Sequence, residues 1–131
     1  MRYRTIAGPL LCVVAATTLA PAIARAATLV KPPIAIISCR AENFGQEYGG
    51  AVADVLIIYK NTYSANATNV RFSLNYQGTH AFVVDKGAFA PNAVITHRFH
   101  TFTGQNYLGK TLNACVAVHA AFADGSTWSF Q

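Results

Sequence analysis

Four histidines, His80, His97, His100 and His119, and five carboxylates are the groups through which this chain of 131 residues could perform acid–base or metal chemistry. Imidazole titrates near neutrality and binds first-row metals, so the spacing of these residues is informative. His97 and His100 lie three apart, which sends two side chains to opposite faces of a strand. A zinc site would therefore need His80, His97 and His119 to converge from separate strands. These three are the candidate metal ligands, and the expectation is that the domain holds no metal and no cofactor. Ser38, Ser64, Ser73, Ser126 and Ser129 include no G-x-S-x-G elbow. Glu42 and Glu47 share a glycine-bearing stretch and are of the types that form a glycosidase pair, but they read better as solvated charges. Phosphate-cradling glycine loops and dinucleotide fingerprints are absent. No catalytic residue is assigned, and the chain is not expected to be an enzyme.

Aromatic residues carry the more interesting signal. Phe44, Tyr48, Tyr63, Phe102, Tyr107 and Trp128 fall in or beside predicted loops and the last strand. Rings exposed at such places stack on sugars or anchor a protein partner; buried, they close the open ends of sheets. These six are the candidate binding aromatics, and the partner they imply is a protein or a glycan.

The compartment follows from the first 26 residues. Met1 to Arg4 is a short basic start, Ile6 to Ala20 is apolar, and Ala24-Arg25-Ala26 places small residues where a signal peptidase inspects them. The apolar run falls short of the roughly 20 residues that span a bilayer, and Pro9 interrupts it. A cleaved leader of bacterial type is expected, with no transmembrane anchor afterwards and a periplasmic or secreted destination by the general route. Leu11 before Cys12 does not suit a lipoprotein signal, and Arg2 and Arg4 do not form a twin-arginine pair. Asn66-Ala67-Thr68 matches a glycosylation acceptor, which carries no meaning in such a context.

Removal of the leader leaves 105 residues, the size of one domain, 27–131. It also removes Arg2, Arg4 and Arg25, so that seven cations face five acids and the formal charge falls from +5 to +2. The remaining cations are spread singly, unlike a clustered nucleic-acid-binding face, and no nucleic-acid partner is expected. Loss of Cys12 leaves Cys39 and Cys115, and two cysteines in an exported chain most often pair. The loop so closed spans most of the domain, for which the chain-entropy model gives roughly 4.5 kcal/mol.

The elements that must position these residues read as strands throughout, because short β-rich runs alternate with turn-forming clusters. Expected strands are 33–40, 51–61, 70–76, 79–84, 93–102, 111–122 and 126–130, with 41–50 as a connection. Val70, Phe72, Leu74 and Tyr76 should face the core, followed across the Gln77-Gly78 hairpin by Phe82 and Val84. Asp85-Lys86-Gly87 reads as a turn. In the next strand Ile95, His97 and Phe99 share a face. In the sixth, Val116, Val118, Ala120 and Phe122 should point inward, with Cys115, Ala117 and His119 on the reverse. Seven strands in about a hundred residues predict an all-β antiparallel sandwich of immunoglobulin-like type, with a small closed barrel as the alternative.

The stretch VLIIYKNTYSANATNVRFSLNYQG, Val55 to Gly78, followed by FAPNAVITHRF, Phe89 to Phe99, resembles bacterial exported immunoglobulin-like and FxLYD-type domains. The shared features are a strand ending in Asn-Thr, a short turn, a V-x-F strand and a later Pro-Asn turn. The resemblance implies a β-sandwich from a group of mostly binding or accessory domains, and carries over no functional residue. The sequence therefore points to an exported non-catalytic binding module, the alternative being a small metal-binding protein or hydrolase that uses the strand histidines.

Overall fold

In a computed structural model of the chain, residues 26–47, 50–103 and 111–131 are described. They form seven strands: β1 (Ile34–Glu47), β2 (Gly50–Asn61), β3 (Ala67–Tyr76), β4 (Thr79–Phe89), β5 (Val94–Thr103), β6 (Ala114–Phe122) and β7 (Thr127–Ser129). All pair antiparallel in two sheets, in the orders β1-β2-β5 and β4-β3-β6-β7. The described residues form an all-β sandwich of seven strands, as the rhythm of runs and turns predicts.

The two inner faces alternate as half-buried strands must. From sheet one come Ala53, Val55, Ile57, Tyr59 and Phe99; from sheet two come Val70, Phe72, Leu74, Tyr76, Val83, Ala117 and Ala120. Tyr59 sits at the centre, its ring edge-on to Phe72 at 5.1 Å and to Phe89 at 6.0 Å. Such pairs add about 0.5–1.5 kcal/mol each to the area they bury. The disulfide forms between Cys39 on β1 and Cys115 on β6, with Cα atoms 6.4 Å apart, and so ties one sheet to the other.

Three expectations about facing are corrected. Phe82 and Val84 point outward and are 57% and 41% exposed. Gln77 and Gly78 both have positive φ, 51° and 81°, and form a two-residue turn that places Tyr76 opposite Thr79. Residues opposite one another share a face, so Ala81, Val83 and Asp85 follow Leu74, Phe72 and Val70 inward. In β6 a bulge leaves Val118 without a partner between the pairs Phe72–Ala117 and Arg71–His119. A bulge inserts one residue and inverts the alternation. Cys115 and Ala117 therefore face inward before it, Ala120 and Phe122 after it, and Val116 lies outside.

Boundaries also differ: β3 begins at Ala67 rather than at 70, and β6 at Ala114 rather than at 111. The stretch 41–50 is the continuation of β1 and the start of β2, with Asn43 to Gln46 absorbed as an irregularity of an edge strand. Asp85-Lys86-Gly87 is no turn: β4 runs on to Phe89, and the chain reverses at Pro91-Asn92, where Asn92 has φ 62°.

Because the disulfide joins sheets that otherwise meet only through side chains, Cys115→Ala should cost about 2–5 kcal/mol in urea unfolding. Digestion without reductant should release a crosslinked Cys39–Cys115 peptide; free thiols at both positions would contradict the fold.

Candidate functional site

Two carboxylates are buried, one between the sheets and one on the outer face of sheet one, and each holds a histidine. Asp85 on β4 faces the core at the side where sheets one and two approach through β4 and β5. The Tyr59 hydroxyl donates to its Oδ2 at 2.8 Å, and His97 Nδ1 lies 2.8 Å from its Oδ1. Burial first, and the Asp85 carboxylate second, push the Tyr59 phenol far above its ordinary range, so it stays protonated and donating. A carboxylate only accepts, so the proton of this pair is carried on His97 Nδ1. The His97 ring stacks on Phe99 at 4.4 Å, and its side chain is 46% exposed.

Asp54 on β2 lies on the outer face of sheet one and is fully covered. Its Oδ1 is 2.7 Å from His100 Nδ1 on the neighbouring β5, while Oδ2 has no hydrogen-bond partner among the described residues. Directly opposite Asp54 on β1, Glu42 accepts from Arg98 at 2.8 Å and Arg40 at 3.0 Å. The Arg98 hydrogen bond is the main reason that the Glu42 carboxyl is held below its usual range. A depressed carboxylate contributes stability above its unfolded pKa and loses it as the pH falls.

These pairs resemble the base and orienting carboxylate of a hydrolytic relay, yet the relay is never assembled. His97 and His100 point to opposite faces of sheet one, as their spacing predicts. The histidine that meets a hydroxyl is His119, whose Nδ1 is 3.0 Å from Ser129 Oγ on the outer face of sheet two, and no carboxylate adjoins it among the described residues. His80, His97 and His119 are not brought together: His80 is paired opposite Asn75 near the β3–β4 turn, His97 lies between the sheets, and His119 lies outside. No group of three or more His, Cys, Asp or Glu able to hold a metal occurs among the described residues.

The candidate aromatics divide. Phe102 and Trp128 are core residues, 3% and 4% exposed, Phe102 edge-on to Tyr76 at 5.2 Å. Tyr63 is half-buried against Phe122 at 4.5 Å, and its hydroxyl donates to Asp124 Oδ2. The side chain of Phe44 and all of Tyr48 and Tyr107 lie outside the described residues, as does the side chain of Glu47.

A more continuous surface comes from residues that the sequence reading had facing inward. On the outer face of sheet two, Ser73 lies between Phe82 and Val116, and Arg71 between Val84 and His119. The Arg71 guanidinium covers the Phe82 ring at 4.1 Å. Val116 and Phe130 then line a shallow apolar groove of about 250 Å³ with Pro32, Ile34, Ile36 and Trp128. Asn69, Asn75, His80 and Lys86 complete this face, and no described residue on it is acidic. Nothing in the hydrophobic periodicity reveals such a surface, because Phe82 and Val84 read as core.

Removing the Tyr59 hydroxyl strands one oxygen of a buried carboxylate, so Tyr59→Phe should lose about 1–3 kcal/mol by urea unfolding with the far-ultraviolet spectrum unchanged. Tyr59 has a raised folded pKa, so its contribution is present below the unfolded value of 10.0 and is lost above it. Wild type should therefore destabilise more steeply than the variant as the pH rises past 10.0; parallel curves would refute this account. Compared with known protein families, curated proteins and solved structures, the chain matches none.

Proposed function

We propose that the chain is an exported, single-domain binding module that works through the outer face of sheet two and the groove beside it. The supporting observation is the row of Phe82, Ser73 and Val116 that leads to Phe130, three exposed apolar side chains around one small serine, with Arg71 stacked on the Phe82 ring. Exposed aromatic and arginine side chains in contact are the composition of interface hot spots. The absence of carboxylates among the described residues of this face, against Arg71 and Lys86, suits a protein or glycan partner that presents anionic groups beside apolar surface.

Export rests on the basic, apolar and small-residue succession before Ala27. It is supported by the disulfide, which persists in oxidising compartments, and no helix of the described residues is long and apolar enough to cross a membrane. Kinship with immunoglobulin-like exported domains is part of this reading, supported by the three-over-four sheet arrangement and a covalent link between the sheets. The strand histidines gain no observation that favours metal binding or hydrolysis over binding.

Phe82 and Val116 are exposed, so Phe82→Ser with Val116→Ser should leave stability within about 0.5 kcal/mol. The same pair should weaken a partner captured from envelope extract at least tenfold, whereas a His100→Ala control on the other sheet should not. Equal capture by both variants would remove the face from consideration. Mass spectrometry of exported protein should find Ala27 as the first residue; intact Met1 in the periplasm or medium would refute the leader.

A further inference from the structure

The segment after the expected cleavage point is built into the sandwich. Thr28 bridges Thr127 in parallel; the Thr127 N–H donates to the Ala27 carbonyl at 2.9 Å, and the Leu29 N–H donates to the Thr127 carbonyl at 2.8 Å. This short addition covers the edge of β7, and residues 30–33 then cross to β1 in the other sheet. The backbone nitrogen of Ala27 donates to Ser126 Oγ at 3.3 Å.

Behind that contact is a small polar cradle. Ser126 is buried, with its Oγ 3.2 Å from the Tyr63 hydroxyl. Tyr63 donates to Asp124 Oδ2 at 3.0 Å, and the Ser126 N–H donates to Asp124 Oδ1 at 2.9 Å. Backbone hydrogen bonding from Ser126 is the main cause that holds the Asp124 carboxyl below its usual range. Gly125, at φ 83°, brings the turn against residue 26: a Cβ there would stand 3.2 Å from that of Ala26. A neutral peptide N–H has one hydrogen and needs no carboxylate nearby. An α-ammonium has three hydrogens and a charge.

We propose that Tyr63, Asp124 and Ser126 form the docking site for the α-ammonium of Ala27 that leader removal creates. The inference rests on the cleavage read above. Hydrolysis of the Ala26–Ala27 bond consumes one water, leaves the carboxylate with Ala26 and the amine with Ala27, and the amine takes a proton at neutral pH. The new cation occupies the place of the former N–H, bonded to Ser126 Oγ, whose hydroxyl meets that of Tyr63, which in turn donates to Asp124. Tyr63 and Asp124 are the titratable groups bonded to Ser126 behind it, with Lys31 in the crossing segment along the groove that Tyr63 also lines. Cutting precedes docking, because a protease needs residues 26–28 extended in its own cleft while the fold commits Ala27 and Thr28 to β7. Leader removal thus completes the sandwich as well as releasing it.

The test uses exported mature protein, with its first residue established by mass spectrometry and the α-amine titrated by NMR. The expected amine pKa lies above the ordinary range of about 7.7–8.0 and returns to it in Asp124→Asn. With a raised folded pKa, the stabilisation is present below the unfolded pKa and lost as the pH rises through the folded one. A chain that retains Ala26 should show a folding constant lower by roughly two- to fivefold at pH 7, on the scale of exposed ion pairs. An Ala27 amine in the ordinary range in wild type overturns the proposal while leaving the cleavage reading intact, whether or not the variant folds. A mature end elsewhere overturns both.

Discussion

Two packed sheets are open along both sides, and everything else in this molecule depends on how those sides are closed. On the β1 side the closure is covalent, through Cys39 and Cys115. On the other it is a chain of charge-assisted hydrogen bonds, in which Tyr59 from the middle of sheet one and His97 from β5 both grip Asp85 on β4. A buried carboxylate would cost several kcal/mol alone; with both oxygens bonded it acts as a fixed point that sets where β4 lies against β5. Such a contact stabilises less than it specifies, since only one placement of the sheets satisfies all three groups.

That placement explains the surface. Once Asp85 and Val83 are committed inward, Val84 and Phe82 must face solvent, and the bulge at Val118 sends Val116 to the same side. The apolar outer face is thus a consequence of inner-face chemistry rather than of local hydrophobicity. Arg71 over Phe82 offsets part of the cost of exposing the ring, by about 0.5–1 kcal/mol for a surface cation–π pair.

Charge is divided between the two outer faces. Sheet one carries Glu42 between Arg40 and Arg98, and Asp54 beside His100, so its charges are largely spent on one another. Sheet two presents Arg71 and Lys86 with no described carboxylate to answer them. The residues that look most like catalytic machinery are therefore those with structural partners, and the face with unanswered charge is the one without a recognisable motif.

Local patterning in the sequence was enough for the all-β class, seven strands, the inward face of β3, the shared face of Ile95, His97 and Phe99, and the cysteine pair, because these depend on a period of two and on counting. The direction of Phe82, Val84, Val116 and Cys115 was not legible, since one turn register and one bulge invert a whole face without changing composition. Equally hidden were Asp85, which read as a turn residue, and Asp54, which lay unmarked inside the expected strand 51–61. Whether a carboxylate is solvated or buried is decided by which donors arrive from strands far away in the chain, and only the packing of the two sheets brings Tyr59 and His97 to Asp85.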